Sequence, residues 1–201
     1  MKSTKKKIKS YRKSYKKYGI DPRALQWLSK KAQEVRFREL IADIDFEKKS
    51  VLDVGCGFGD IIPFISEKTK SFEYKGIDLM PEFIEVAKAR YKTRKFVVGD
   101  YFGNPSKEKY DIILTSGTLN ANIEDAVEFR KKAIKTMFGH AKEVVAFNMA
   151  GGHPQPENKK NNKVYYADSQ EILKFCFSLT NKLIFRDRYR KQDFTIVMFK
   201  I

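Results

Sequence analysis

Cysteine is almost missing from this chain: Cys56 and Cys176 are the only two in 201 residues. One sits in a glycine-rich loop and the other in an apolar helical run, so a disulfide framework is not expected and a reducing compartment fits. Histidine is equally scarce, with only His140 and His153, and neither Cys-x-x-Cys nor His-x-x-x-His spacing occurs. No metal site is therefore expected. No apolar run approaches the roughly 20 residues needed to span a bilayer. The basic start is not followed by the apolar core, at least about seven residues long, of a secretory signal. The expectation is a cytoplasmic, soluble protein with no membrane partner.

Acidic residues are also under-represented, 25 Asp and Glu against 41 Lys and Arg, for a formal net charge of +16. Two readings follow: an anionic partner such as nucleic acid, or a chain that uses lysine wherever a solvated side chain will do. The imbalance is extreme in Met1–Tyr18, which holds nine Lys and Arg, no acid, and Tyr11, Tyr15 and Tyr18 at helical spacing. This basic arm, taken as residues 1–20, reads either as a nucleic-acid arm in which tyrosines stack on bases or as a tail whose tyrosines dock on the domain. The remainder, 21–201, is the length of one ordinary domain.

Asp21-Pro22 starts a helix or helix pair whose apolar stripe is Leu25, Leu28, Ala32, Val35, Leu40, Ile41 and Ile44. Beyond Ser50 short apolar runs alternate with helical ones. Val51–Gly55, Tyr74–Ile77, Phe96–Val98, Tyr110–Thr115 and Val144–Phe147 read as buried strands; Asp60–Glu67, Pro81–Tyr91 and Ile123–Phe138 read as helices, with Gly139 as a C-terminal cap. Such alternation predicts an α/β fold, a mostly parallel, doubly wound sheet covered on both faces. The end departs from that rhythm. After a helix at Asp168–Leu179, the runs Lys182–Asp187 and Phe194–Phe199 are joined too tightly for a crossover helix, so they pair antiparallel. A polar insertion, Gly151–Lys163, lies where the carboxyl edge of the sheet opens.

The most informative segment is Val51-Leu52-Asp53-Val54-Gly55-Cys56-Gly57-Phe58-Gly59-Asp60, a buried strand entering a triple-glycine turn. Glycine lets backbone bend sharply and approach a ligand closely. Asp60 stands where the third glycine of a dinucleotide fingerprint would be, so a pyrophosphate would meet a carboxylate there. A ligand without phosphate is favoured.

These residues resemble the first motif of class I S-adenosylmethionine-dependent methyltransferases, and the likeness runs from about Phe37 to Ile201. It implies a seven-stranded Rossmann-like sheet in the order 3-2-1-4-5-7-6 with the last strand antiparallel, preceded by a helical lid over residues 21–46. It implies S-adenosylmethionine as cofactor and S-adenosylhomocysteine (SAH) as product. By the same resemblance, Asp53, Gly55, Cys56, Gly57 and Gly59 form the cofactor turn, and Asp78 in Gly76-Ile77-Asp78-Leu79-Met80 binds the ribose hydroxyls. Leu79 and Met80 flank the adenine, Asp100 and Tyr101 lie by its amino group, and Ser116 and Gly117 border the methyl group. Trp27 and Arg36 fall on the lid, Trp27 to pack on the cofactor and Arg36 to pair with its carboxylate. Each also has a purely structural reading, the acids as turn or helix caps, Trp27 as core and Arg36 as a solvated cation.

Methyl transfer from a sulfonium needs chiefly alignment and exclusion of water. A hydroxyl or protonated amine acceptor adds the need for a base. His153 is the catalytic candidate, with Asn148, Tyr165 and Tyr166 as acceptor contacts; otherwise it is an exposed loop histidine. Thr115-Ser116-Gly117-Thr118 replaces the Asn/Asp-Pro-Pro-Tyr/Phe motif typical of amino-methyltransferases of adenine and cytosine, and no cysteine falls there to serve a pyrimidine carbon-5 enzyme. A small-molecule acceptor at oxygen or nitrogen is the leading expectation. RNA, less readily DNA, reached through residues 1–18 is the alternative, and a non-catalytic cofactor-binding protein is the third. The oligomeric state is not legible.

Overall fold

The computed structural model describes residues 2–105, 107–159 and 163–200. Met1 of the basic arm, residues 160–162 of the polar insertion and Ile201 lie outside them. The chain opens with helix α1 (Lys2–Tyr18). Ile8, Tyr11, Tyr15 and Tyr18 recur every three or four residues and share one face, which packs on Ala24, Phe58, Met80 and Phe83. Gly19 ends the helix at φ +60°, its N–H donating to Tyr15 O.

Asp21-Pro22 does start a helix, but only one 3-10 turn, Pro22–Leu25, with the Asp21 side chain accepting from Arg23 N. A break follows, and α2 (Lys30–Ile41) begins afresh where Ser29 Oγ accepts from Ala32 N. Leu28, expected in the apolar stripe, lies in that break and is 81% exposed.

Thereafter come β1 (Lys49–Val54), α3 (Ile62–Lys68), β2 (Phe72–Asp78), α4 (Pro81–Arg90), β3 (Lys95–Val98), β4 (Tyr110–Ser116), α5 (Ala126–His140), β5 (Ala141–Gly152), β6 (Ala167–Asp168), α6 (Ser169–Phe177), β7 (Leu183–Asp187) and β8 (Asp193–Phe199). The sheet order is β3-β2-β1-β4-β5-β8-β7, with β8 antiparallel to both neighbours and the strands from β3 to β5 parallel. This is the predicted arrangement with one addition. The two-residue β6 pairs parallel with Gly151–Gly152 of β5, making eight strands. Gly139 does not cap α5, which runs on to His140.

Alternation along the strands sends side chains to two cores. Val51, Ile112, Leu114, Val144 and Val197 face α2, α3 and α4. Leu52, Val54, Ile113, Val145 and Ile196 face α5 and α6. Parallel strands buried on both faces leave their carboxyl ends as the exposed polar edge, where loops meet. There the glycine turn, the ends of β2 and β4, and the N-terminal segment converge.

Candidate functional site

β1 delivers the turn with Gly55, Gly57 and Gly59 at φ +77°, +54° and +74°. Two hydroxyls anchor it: Thr115 Oγ1 and Thr118 Oγ1 donate to Val54 O at 2.6 and 3.1 Å. A Cβ on Gly55 would collide with the Thr118 hydroxyl, and one on Gly57 would lie 2.9 Å from Leu25 Cδ1. Glycine is thus required here first by the protein's own packing, not by ligand approach alone. Cys56 departs from its expected place, since its thiol is buried against Gly76 in the core and only its backbone belongs to the turn. Burial raises that thiol well above its ordinary range.

At the end of β2, Asp78 Oδ2 accepts from Gly57 N at 3.0 Å and Oδ1 from Met80 N at 2.9 Å. One carboxylate therefore ties the glycine turn to the start of α4. Burial pushes its pKa up against those hydrogen bonds. Leu79 is half-buried beside it and Met80 is fully buried. Tyr11 of α1 stands against this group, its phenol pushed up to about 12 by burial and by the Asp78 charge.

Asp100 follows β3 and closes its own turn, Oδ1 accepting from Gly103 N at 3.0 Å, and the cation facing it is Lys7 of α1. Tyr101 is a correction to the sequence reading. Its ring is buried in the α5 core and its hydroxyl meets His140 Nδ1 at 3.1 Å. His140 ends α5 just before β5 begins, so Tyr101 points toward the amino edge of the sheet, away from the turn.

The end of β4 is held by a buried polar chain. Ser116 Oγ donates to Asn148 Oδ1 at 3.0 Å, and Asn148 Nδ2 donates to Arg36 O at 3.0 Å. The Arg36 guanidinium lies 4.9 Å over the Trp27 ring, and a Cβ on Gly117 would sit 3.3 Å from that ring. Arg36 forms an ion pair with Asp193, which the sequence reading did not anticipate, while its Nε is buried with no partner among the described residues. Arg190 is the second cation near Asp193, at 3.5 Å.

Beyond β5, the His153 imidazole is half-exposed with Nδ1 3.4 Å from Asp168 Oδ1. Within its described residues the insertion is tied down where Asn158 exchanges hydrogen bonds with the Tyr166 backbone and Gln155 donates to Tyr166 O. Tyr165 N donates to Asn120 O, and the Tyr165 ring covers the guanidinium of Arg130 at 4.6 Å. Arg130 is buried, donates to Ala121 O and Ala126 O, and has its pKa lowered to about 10 by burial. Thr118, Asp193 and Arg130 escaped the sequence reading because their partners are remote or backbone.

In sum the structure gathers the glycine turn, Asp78, Ser116, Gly117, Trp27 and Arg36 at the carboxyl ends of the strands, where the sheet order reverses between β1 and β4 and such folds form a crevice, here covered by the N-terminal segment. The Asp53 side chain instead turns into the core toward Tyr74. A family profile described as "Methyltransferase domain" matches residues 45–193, most of the chain. The chain belongs to the methyltransferase-domain family. It is 33% identical over 89 residues to a demethylmenaquinone methyltransferase of Thermotoga maritima, covering 44% of this chain and 38% of that protein. It is 30% identical over 110 residues to norajmaline N-methyltransferase of Rauvolfia serpentina, covering 51% and 37%. The chain thus spans about two fifths of the length of these curated relatives. In fold it is similar to magnesium protoporphyrin IX methyltransferase from Synechocystis with bound SAH, at TM-score 0.63, 14% identity and 84% and 83% coverage.

In this methyltransferase-family chain Asp53 carries a consequence for stability. It is 4% exposed, accepts from Tyr74 OH at 2.7 Å, and burial raises its pKa from 3.8 to about 7. The native state then holds a proton that the unfolded chain has already lost between those pH values. Its contribution is most favourable below about pH 4, falls as pH rises, and levels off above 7. Asp53→Asn keeps the acceptor for Tyr74 without the charge. Relative to wild type, urea denaturation should show the variant gaining on the order of a few kcal/mol between pH 5 and pH 8. Parallel pH profiles for the two proteins would show that Asp53 is not buried as a proton-binding group.

Proposed function

We propose that this protein is an S-adenosylmethionine-dependent methyltransferase acting on oxygen or nitrogen of a small-molecule acceptor. The observation that carries the reading is Asp78. Its oxygens accept from the Gly57 and Met80 N–H groups, with the Leu79 N–H also turned toward the carboxylate, and two oxygens with about four acceptor sites keep capacity for a ribose hydroxyl. The buried, unpartnered Arg36 Nε supplies a donor for an amino-acid carboxylate, braced by Trp27 and Asp193. When bound, the cofactor supplies an electrophilic methyl on a sulfonium. The chain's residues do the rest: the glycine turn bends backbone toward the ligand, half-buried Leu79 offers apolar surface with Met80 packed behind it, and the roof of Tyr11, Leu25 and Trp27 excludes water. His153, oriented by Asp168, is the group we assign as base for a protonated acceptor. The solved and curated relatives that act on small molecules by name, norajmaline N-methyltransferase among them, support the acceptor class. We also place the protein in the cytoplasm, on its two unpaired cysteines; among the described residues no helix is long and apolar enough to cross a membrane.

The test is transfer of a radiolabelled methyl group from the cofactor to cell extract, followed by fractionation. Label should appear in the metabolite pool. Label confined to nucleic acid or protein would overturn the acceptor class, and label retained wholly on the cofactor would overturn the activity.

A further inference from the structure

A concavity of about 630 Å³ lies away from the crevice, on the open β3 edge of the sheet. Its wall is made by Lys75, Lys88, Lys92, Arg94 and Lys95 around Tyr91, and no carboxylate lines it. Two of these cations are engaged: Lys75 pairs with Glu108 at 2.7 Å, and Arg94 donates to Phe72 O while lying over the Phe72 ring. Lys88 and Lys92 are exposed, as is Lys95, whose charge acts on Glu108 without a close ion pair. Holding like charges around one hollow costs free energy unless an anion or solvent screens them.

The second basic surface is α1. With Ile8, Tyr11, Tyr15 and Tyr18 turned inward, its outward positions Lys9, Arg12, Lys13, Lys16 and Lys17 are all cationic. Among the described residues Arg12 alone of these has an ion-pair partner, Glu82 on the first turn of α4 at 2.6 Å. The concavity sits at the other end of the same helix, beside Lys88 and Tyr91. From Glu82 to Lys88 and Tyr91 the two surfaces lie about 9–14 Å apart along α4. Exposed Glu85 is the acid between them.

We propose that this flank, from the outer face of α1 along α4 to the β3 concavity, is a docking track for the phosphodiester backbone of a single-stranded RNA. A chain of phosphates can follow a strip of lysines that runs over two elements and into a shallow concavity. An amphipathic membrane helix needs its apolar face free, and α1 has spent that face on the domain. Tyrosine stacking plays no part, because the arm's tyrosines are turned inward. The inference goes beyond the proposed methyl transfer and does not rest on it.

The test is anisotropy of a labelled 20-nucleotide oligouridylate titrated with the full chain at several salt concentrations. Four to seven phosphate contacts, each contributing about 0.7 to the log–log slope for single strands, give a slope of roughly −3 to −5, or about a 50- to 900-fold loss of affinity between 50 and 200 mM salt. The triple variant Lys88→Gln, Lys92→Gln, Lys95→Gln should lower the slope by about two, and Lys9→Gln, Lys13→Gln, Lys16→Gln, Lys17→Gln by nearly three. The groove variant should melt and bind SAH as wild type does, since its residues touch neither core nor crevice. Failure of wild type to bind RNA, slopes unmoved in both variants, or binding confined to phosphatidylserine vesicles would each overturn the proposal, whatever the outcome of the methyl-transfer assay.

Discussion

Replacing Asp78 with alanine should weaken SAH binding about 5- to 150-fold by calorimetry, the equivalent of roughly 1–3 kcal/mol. Two losses combine. The proposed ribose contact goes, and the N–H groups of Gly57 and Met80 lose the acceptor that holds turn and helix together. Asp78→Asn separates them, because an amide oxygen accepts from only one of the two N–H groups and its amide nitrogen offers donors where the hydroxyls need acceptors. Its affinity should fall nearly as far as alanine's, with a smaller loss of melting temperature. Wild-type affinity in both variants would mean that the carboxylate is a turn brace and nothing more.

Arg36→Ala is expected to be the most destabilising single change in the roof of the site. It strips the main partner from Asp193, a carboxylate only 4% exposed, and leaves Trp27 without the guanidinium over its ring. Removing one member of a buried pair typically costs 3–5 kcal/mol. Because Arg190 remains 3.5 Å away as a partial substitute, about 3 kcal/mol is the expected figure. For a domain of this size that is a fall of about 6–12 °C in melting temperature. Pairing the change with Asp193→Asn removes the stranded charge and should recover part of the loss. A fall under about 2 °C for Arg36→Ala would show that the pair is solvated and mobile.

The parts of the fold that rest on periodicity were legible in the sequence. Val51–Val54, Ile112–Leu114 and Val144–Phe147 are short, apolar and bounded by turn residues, so strand type and parallel pairing followed from local pattern. The glycine turn was equally plain, although the cause of its glycines was not: Thr118 and Leu25 crowd Gly55 and Gly57 from positions that no local pattern links to the turn. Tyr101 was misplaced because a loop lacks the fixed side-chain period of a strand, so adjacency to Asp100 says nothing about which way the ring points. The Arg36–Asp193 pair is separated by 157 positions, and two residues are too few for β6 to leave a pattern. For α1, one amphipathic pattern served both the docked and the free reading, and only the presence of Phe58 and Phe83 opposite the tyrosines distinguishes them.

The central assignment is that the crevice between the glycine turn and β2 receives an adenosyl ligand with its sugar on Asp78. A crystal soaked in SAH tests it most directly. Density should place the ribose hydroxyls within about 3 Å of the Asp78 oxygens, with the amino-acid end toward Arg36. An empty crevice at saturating ligand, or a nicotinamide dinucleotide bound there in preference, would contradict the account.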